Sequence, residues 1–316
     1  MKRLALLCAL AGCTSFEDPD IVLDLRVLAM TGEPPEQLVD LDPSAPFEPT
    51  ELLAQLVPST MCALVADPRS ERRLRWELAL CLPDDDQCNP RFRTVLRSGV
   101  IDDPDTAPSA QPMCATVEPN ANLLGILLEI GEGDPLAVLG GIDYFVELRV
   151  RGEDDTREEV ATKSLRVSPR IPAIRTPNTN PTVELFRATL GGERLELPLG
   201  RCAEQASPLE VAPGTRLTIE PIELPTTRET YVVPTLDGRI ATFTESPTYQ
   251  WRASAGGFSR GGTGGTRDNL GNLPELDTEW RAPARVDGVT DVQLWFVVRD
   301  ERLGATWYES CVRVVP

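Results

Sequence analysis

Short segments in which polar and apolar residues alternate are the feature of this sequence that most constrains its fold. Arg73–Leu80 alternates without a break, and Tyr144–Arg151 repeats the pattern. A period of two places successive side chains on opposite faces of the backbone, which is typical of a β-strand with one wet face. Clusters of Pro, Gly and Asp separate such segments, and no long helical pattern occurs. The sequence therefore predicts an all-β protein made of β-sandwiches.

The chain length and one proline-rich segment indicate where one sandwich ends and the next begins. With 316 residues, 41% of them hydrophobic, the chain is long enough for about two domains with real cores. Residues 168–182 contain four prolines, which is typical of a semi-rigid extended linker or an edge segment. We expect one sandwich over residues 21–167 and a second over residues 183–316.

Three segments carry more specific expectations. The odd-numbered residues from Ile21 to Ala29 are expected to share one face of a first strand. Leu123–Ile130 fits either a strand or a short helix, because a short apolar run does not reveal its period. Residues 256–266 are rich in glycine but lack the lysine of a phosphate-binding loop, so we expect a flexible connection between strands.

The N-terminus has the form of an export signal. A basic start precedes an apolar segment, Leu4–Leu10, which is too short to span a bilayer. It runs into Leu10-Ala11-Gly12-Cys13, which resembles the lipobox of bacterial lipoproteins. The resemblance implies that residues 1–12 are removed, that Cys13 carries the lipid and that residues 13–20 form a short tether. The alternative is an ordinary signal peptide in which Cys13 occurs by chance.

The number of cysteines fits an exported protein. Cys8 lies in the signal and Cys13 is the lipid site, so six of the eight cysteines remain. An even number in an oxidising compartment is typical of disulfide bonds. Zinc is disfavoured as an alternative, since the sequence has neither a C-x-x-C pair nor histidine.

The pairing of these six cysteines follows only in part from their positions. If bridges stay within the two expected sandwiches, Cys202 pairs with Cys311, and the other four cysteines allow three arrangements. The short loop between two of them favours one arrangement, with the pairs Cys81–Cys88 and Cys62–Cys114.

Several segments resemble the immunoglobulin-like and PKD-like sandwich domains of bacterial surface proteins. Tyr249–Gly257 looks like the third strand of a PKD-like domain, and Pro213–Thr215 looks like the turn into its second strand. Cys62 and Trp76 are spaced like the Cys and Trp of an immunoglobulin fold. The strand expected at Tyr144–Arg151 has no cysteine, so the resemblance does not extend to the immunoglobulin core disulfide.

A second resemblance covers both halves. Leu25–Ala29 followed by Glu33–Pro35 is similar to the opening of uncharacterised lipoproteins from GC-rich Gram-negative bacteria, a likeness that implies no activity. Because Thr14 rather than aspartate follows Cys13, the sorting rule of enteric bacteria implies the outer membrane. The folded part would then face the periplasm or the cell surface.

Composition argues against catalysis and against nucleic acid. Without histidine, neither a Ser-His nor a Cys-His nucleophile can form, and Lys163 does not lie in a Ser-x-x-Lys motif. A formal net charge of −18 opposes binding to a phosphate backbone. We therefore expect no enzyme, no catalytic residue and no cofactor other than the lipid on Cys13.

The sequence thus favours a lipid-anchored cell-envelope protein with a structural, adhesive or protein-binding role. Its expected partners are the membrane, through the anchor, and an envelope protein or glycan. The alternative is a carbohydrate-binding or carbohydrate-active envelope protein that uses acidic residues and exposed tryptophans. We expect Trp76 and Trp251 in the cores, whereas Trp280 and Trp307 are the tryptophans to examine for exposure.

Acidic clusters offer a weaker alternative of calcium binding. Asp102, Asp103 and Asp105 could supply hard oxygen ligands, as loops of extracellular modules do, although no EF-hand spacing occurs. A solvated acidic loop is the favoured interpretation.

Overall fold

The structure of the protein is a computed structural model, and it describes residues 19–41, 48–68, 72–84, 87–101, 113–133, 140–235 and 237–316. These residues form mostly β-strands arranged in facing sheets, which confirms the all-β prediction. Two separate apolar cores lie between pairs of sheets, one in each half of the chain. We refer to the two halves as the N-terminal and the C-terminal sandwich.

The N-terminal sandwich contains ten strands and two helices among its described residues. The strands are β1 Arg26–Glu33, β2 Glu36–Val39, β3 Ser59–Ala66, β4 Leu74–Cys81, β5 Pro83–Asp84, β6 Gln87–Cys88, β7 Thr94–Ile101, β8 Cys114–Val117, β9 Ile142–Gly152 and β10 Glu159–Pro169. The helices are α1 Pro49–Gln55 and α2 Ala121–Gly133, and a short 3-10 turn spans Pro90–Phe92.

Two sheets enclose the N-terminal core. The order β1-β3-β8 forms a three-stranded sheet, and β2-β10-β9-β4-β7 forms a five-stranded sheet. Alternate residues of β4 and β9 fill the core, and Trp76 lies there as expected. The run that fitted either a strand or a helix lies in α2, where Leu123, Ile126 and Leu127 face the core at helical spacing. Asn120 caps this helix by accepting from the backbone N–H of Asn122 and Leu123.

The C-terminal sandwich contains twelve strands among its described residues. They are β11 Val183–Leu190, β12 Glu193–Glu196, β13 Leu209–Val211, β14 Arg216–Glu223, β15 Thr230–Pro234, β16 Ile240–Thr244, β17 Thr248–Ala253, β18 Gly257–Phe258, β19 Gly262–Gly264, β20 Thr278–Arg281, β21 Thr290–Arg299 and β22 Ala305–Val314. A 3-10 turn spans Cys202–Glu204.

Two five-stranded sheets, β12-β11-β14-β20-β18 and β13-β22-β21-β17-β19, face each other around an aromatic core. Trp251, Trp280, Phe186 and Phe296 are fully or almost fully buried there, and the rings of Phe186 and Phe296 lie 4.5 Å apart. The last two strands form the expected terminal hairpin, in which Thr290 pairs with Val314 at one end and Arg299 with Ala305 at the other. β15 and β16 pair with each other in a separate two-stranded hairpin.

The structure corrects two of the local expectations. The predicted first strand begins only at Arg26, Leu23 is 48% exposed, and a bulge between Val27 and Ala29 shifts the register. A bulge adds one residue to a strand, so the alternation of buried faces reverses there. The glycine-rich segment is not only a connection, since β18 and β19 lie within it and pair with opposite sheets.

Three disulfides join the pairs that the sequence favoured, Cys62–Cys114, Cys81–Cys88 and Cys202–Cys311. Cys62–Cys114 links paired positions of β3 and β8. Cys202–Cys311 closes a separation of 109 residues within the C-terminal sandwich. Each half therefore carries its own covalent links, as exported sandwich domains commonly do.

Candidate functional site

Several residues singled out from the sequence lie outside the described residues. These are Cys13 with the rest of the expected signal, and the calcium candidates Asp102, Asp103 and Asp105. Within the described ranges, no helix has the length and apolar character needed to cross a membrane. The same ranges bring together no group of three acidic, Cys or His side chains suited to a metal ion.

Four of the five tryptophans are buried, and Trp307 is half-buried. Trp280 is fully buried, and its indole N–H donates to the carbonyl oxygen of Ala255 at 3.1 Å. Trp307 is half-buried against a cluster between the sandwiches. Trp280 is thus a core residue of β20, a strand that pairs with β14 along one edge and with β18 along the other.

The contact between the two sandwiches is the most elaborate arrangement outside the cores. Its first part is apolar, and we call it the junction patch. It consists of buried side chains from the outer faces of β1, β3 and β21 and from the residues before β1: Val22, Leu28, Ala29, Leu64, Ala66, Trp295 and Val297. The three-stranded sheet of the N-terminal sandwich is therefore covered on both faces, by its own core and by the C-terminal sandwich.

The second part of the contact is ionic, and we call it the junction network. It centres on Glu36, which is 3% exposed and accepts hydrogen bonds from both sandwiches and from the segment between them. Its carboxylate receives Ser168 Oγ at 2.7 Å, Arg175 at 2.7 Å, the Asn178 backbone N–H at 2.9 Å and Arg302 at 2.9 Å. Burial alone would raise the pKa of Glu36, but the bond from Ser168 and the charges of both arginines hold it below its usual range.

Arg302 connects Glu36 to a second pair of carboxylates. Its guanidinium lies 3.4 Å from Glu245 and 3.5 Å from Glu229, and it stacks over Tyr231 at 4.6 Å from the ring centroid. Burial, reinforced by the carboxylate of Asp300, raises the pKa of Glu245 to about 7 even though Arg302 opposes the shift. Glu245 is therefore poised to gain a proton near neutral pH.

The turn between β21 and β22 forms the C-terminal side of the network. Asp300 accepts from the backbone N–H groups of Arg302 and Gly304, at 2.7 and 2.8 Å. Leu303 has a φ of 80°, an uncommon left-handed conformation for a branched residue. The Lys163 ammonium of β10 donates to the carbonyl oxygen of Leu303 across the junction. Burial lowers the pKa of Lys163 to about 8, and Asp300 opposes this only in part.

The expected linker is part of this contact. Ser168 and Pro169 belong to β10, so the regular strand extends beyond residue 167. Asn178 is 1% exposed, and its side chain donates to Asp300 at 3.1 Å and to the carbonyl oxygen of Arg302 at 2.8 Å. Asn180 donates to the carbonyl oxygen of Gly32 and accepts from the backbone N–H of Ala305. The segment therefore holds the two sandwiches together rather than only connecting them.

The first described residues also join the two sandwiches, and we call Asp20–Val22 the entry segment. Sequence reasoning assigned residue 21 to the N-terminal sandwich, but Ile21 lies in the C-terminal core and bridges Ala253 of β17. The Ala253 backbone donates to Asp20 and accepts from Val22, at 3.0 and 2.9 Å. Asp20 also pairs with Arg252 at 2.6 Å.

Two cavities lie near these contacts. A cleft of about 480 Å³ beside the junction patch is lined from both sandwiches, and the buried indole N–H of Trp295 in its wall has no hydrogen-bond partner. An apolar pocket of about 340 Å³ lies between α1, α2 and the edge of the five-stranded sheet, with Leu52, Leu127 and Ile142 among its lining residues. Both are of a size that accepts small ligands.

Comparisons with known proteins give no functional assignment. No protein-family model matches the chain, and no curated protein matches it either. Among solved structures it is similar to dimeric latent PorU from Porphyromonas gingivalis, with 12% identity, a TM-score of 0.19, and coverage of 92% of this chain and 24% of that one. Parabacteroides merdae β-glucuronidase matches at 10% identity, with a TM-score of 0.18 and coverage of 90% and 25%.

A third similar structure contains cadherin-like domains 1 to 4 of zebrafish RET. The identity is 9% and the TM-score 0.14, over 77% of this chain and 42% of that one. The chain thus spans less than half the length of each of these three proteins. TM-scores this low carry no argument about what the chain does.

Proposed function

We propose that this protein is a lipid-anchored cell-envelope protein in which two sandwiches are held in one fixed arrangement for a structural, adhesive or protein-binding role. The observation that carries the anchor is the segment Leu10-Ala11-Gly12-Cys13 behind a short apolar stretch. The three disulfides support export, because such bonds persist in oxidising compartments. The proposed location is the outer membrane, with the folded part facing the periplasm or the cell surface.

The fixed arrangement is supported by the two-part contact between the sandwiches. The junction patch removes apolar surface from water, and the junction network ties Glu36 to groups 139 and 266 residues away in sequence. Relative motion of domains is the usual expectation when an interface is small and polar. An interface that combines a buried apolar cluster with a buried ion network favours a spacer or scaffold over a hinged pair.

The proposal assigns no reaction to the protein, in keeping with the lack of histidine in the sequence. Its partners would be the membrane, through the lipid, and an envelope protein or glycan. The lipid on Cys13 is the only attached group that it requires.

Metabolic labelling with a radioactive fatty acid tests the anchor. The wild-type chain should incorporate label and fractionate with membranes, whereas Cys13→Ser should do neither. Cys8→Ser is the matched control, because it removes a cysteine from the segment that is cleaved away and should leave the label unchanged. Equal labelling of Cys13→Ser and wild type would contradict the proposal.

Crosslinking in intact cells, followed by purification of the anchored protein, tests the role. A complex subunit should yield a defined crosslinked envelope protein that is lost when Cys13→Ser releases the chain from the membrane. Recovery of the same partner from the released chain would show that anchoring is not needed for the interaction.

A further inference from the structure

The position of the entry segment determines which end of the molecule is nearest to the anchor. Five residues lie between Cys13 and Pro19, and the six steps from one to the other reach at most about 20 Å in an extended chain. Pro19 is itself held, since its carbonyl oxygen accepts from Arg26 at 2.7 Å. From Asp20 onward the backbone pairs with β17. The tether therefore leaves the folded part at a defined place, with little free length.

The packing around Asp20 shows that this place is built into the fold. A Cβ atom at Gly261 would lie 1.9 Å from an oxygen of the Asp20 carboxylate, so a larger residue there would displace the Asp20 side chain that pairs with Arg252. The Gly261 carbonyl accepts from the backbone of Trp251, and it also lies 3.2 Å from the Arg252 guanidinium that pairs with Asp20. The glycine-rich segment thus packs directly against the entry segment.

Strand directions identify the two ends of the molecule. Ile21 bridges Ala253 at one end of β17, and Gly264 pairs with Thr248 at the other. Thr248 and Ala253 are five positions apart along β17, which corresponds to about 17 Å. At the first end, Thr156 and Arg157 share a surface depression with Arg26, which contacts Pro19. We call this end the tether end.

The opposite end carries the most exposed large apolar side chain of the described residues. Leu270 is 86% exposed, in a segment that leaves the sheet after β19 at the Thr248 end of β17. Hydrophobicity alone would place the Leu270 end of the molecule against lipid. The position of the tether places the opposite end there, so hydrophobicity and tether position predict opposite orientations.

Arginine partners offset part of the negative charge of the tether end, in a chain whose formal net charge is −18. Asp20 is paired with Arg252, Asp155 with Arg72, and Glu153 with both Arg73 and Arg75. Carboxylates with arginine partners repel lipid phosphates less than isolated ones do.

From the tether length, the fixed entry segment and these charge pairs, we propose that the tether end lies against the bilayer surface, with the turn between β9 and β10 facing lipid and the Leu270 segment facing away. This inference rests on the proposed lipidation of Cys13. It assigns a membrane-facing surface to residues that no sequence motif marks, and it leaves the opposite end free for a partner.

Energy transfer between the protein and the membrane tests the orientation. Full-length lipidated protein would carry one donor dye, attached through a non-natural amino acid at Thr156 or at Leu270 so that all disulfides stay intact. It would be reconstituted into vesicles of phosphatidylethanolamine and phosphatidylglycerol that contain an acceptor-labelled lipid. We expect several-fold greater transfer from Thr156 than from Leu270. Equal transfer, or greater transfer from Leu270, would overturn the inference.

Two variants test whether the entry segment sets the orientation of the protein on the membrane. Ile21→Asp removes an apolar contact of the entry segment and should narrow the difference between the two dye positions, whereas Leu23→Asp, at an exposed neighbouring site, should leave it unchanged. A full difference in Ile21→Asp would show that the entry segment does not set the orientation. If the purified wild type carries no lipid and shows no transfer from either position, the proposed anchor fails rather than the orientation.

Discussion

The two parts of the contact between the sandwiches differ in chemistry and in what they can specify. The junction patch is a buried apolar cluster, and attraction of that kind is strong but has no preferred direction. The junction network places Glu36, Arg175 and Arg302 in a buried site where each partner needs a defined geometry. We infer that the junction patch supplies most of the attraction between the two sandwiches, whereas the junction network fixes how they are oriented.

The largest effect is expected from breaking the network at its centre. Glu36→Ala leaves Arg175 and Arg302 buried without their shared carboxylate, which should lower the free energy of unfolding by about 3–5 kcal/mol. Asp40→Ala is the matched control, because Asp40 pairs with Arg170 at the surface and its loss should cost less than about 1 kcal/mol. Urea unfolding of both variants measures the difference, and similar losses would contradict the central position of Glu36.

Breaking the patch should cost somewhat less. Trp295→Ala removes a large buried side chain and should lower the free energy of unfolding by about 3 kcal/mol. Trp307→Ala, at the half-buried edge of the same cluster, should cost clearly less. If Trp307→Ala proved the more damaging substitution in urea unfolding, the patch would have been assigned to the wrong side chains.

The network should also respond to pH. The pKa of Glu245 is about 7 in the folded protein and near 4.5 when unfolded, so the folded state binds more protons between these values. Stability should therefore fall by about 2 kcal/mol as the pH rises from 5 to 8. Glu245→Gln, which keeps an acceptor for Arg302, should flatten this dependence in thermal unfolding. An unchanged pH profile in the variant would contradict the assignment.

Lys163 should produce an effect of similar size but opposite sign, at higher pH. Its pKa is about 8 when folded and near 10.5 when unfolded, so the unfolded state binds more protons between these values. This difference in pKa should raise the free energy of unfolding by about 2 kcal/mol between pH 8 and pH 10, and this rise should be missing in Lys163→Met. Unfolding curves at pH 8 and pH 10 measure it, and the same rise in the variant would point to another group.

The sandwiches were predictable from the sequence because their signals are local. The alternation in Arg73–Leu80 depends only on adjacent residues, and the structure has a strand there. The turn before Ala305 is likewise encoded by a few consecutive residues, and the structure has a hairpin there. Compartment and loop length favoured the observed disulfide pairs, although the cysteine positions left three arrangements open in the N-terminal half.

The junction could not be predicted, since its partners are far apart in sequence. Glu36 and Arg302 are separated by 266 residues, and no periodicity reports such a pair. The entry segment was missed for the same reason, because Ile21 reads as the start of a strand while its partner is Ala253. The bulge at Val27 reversed the faces of the first strand, an event that alternation alone does not reveal.

A distance distribution between the two sandwiches shows whether their arrangement is fixed. Spin labels attached through non-natural amino acids at Val160 of β10 and Glu196 of β12 would report on the two halves of the full-length protein. A fixed arrangement predicts one narrow distance peak for the wild type and a broader one for Glu36→Ala. A broad or multi-peaked distribution in the wild type would show two independently moving sandwiches and would contradict a fixed arrangement.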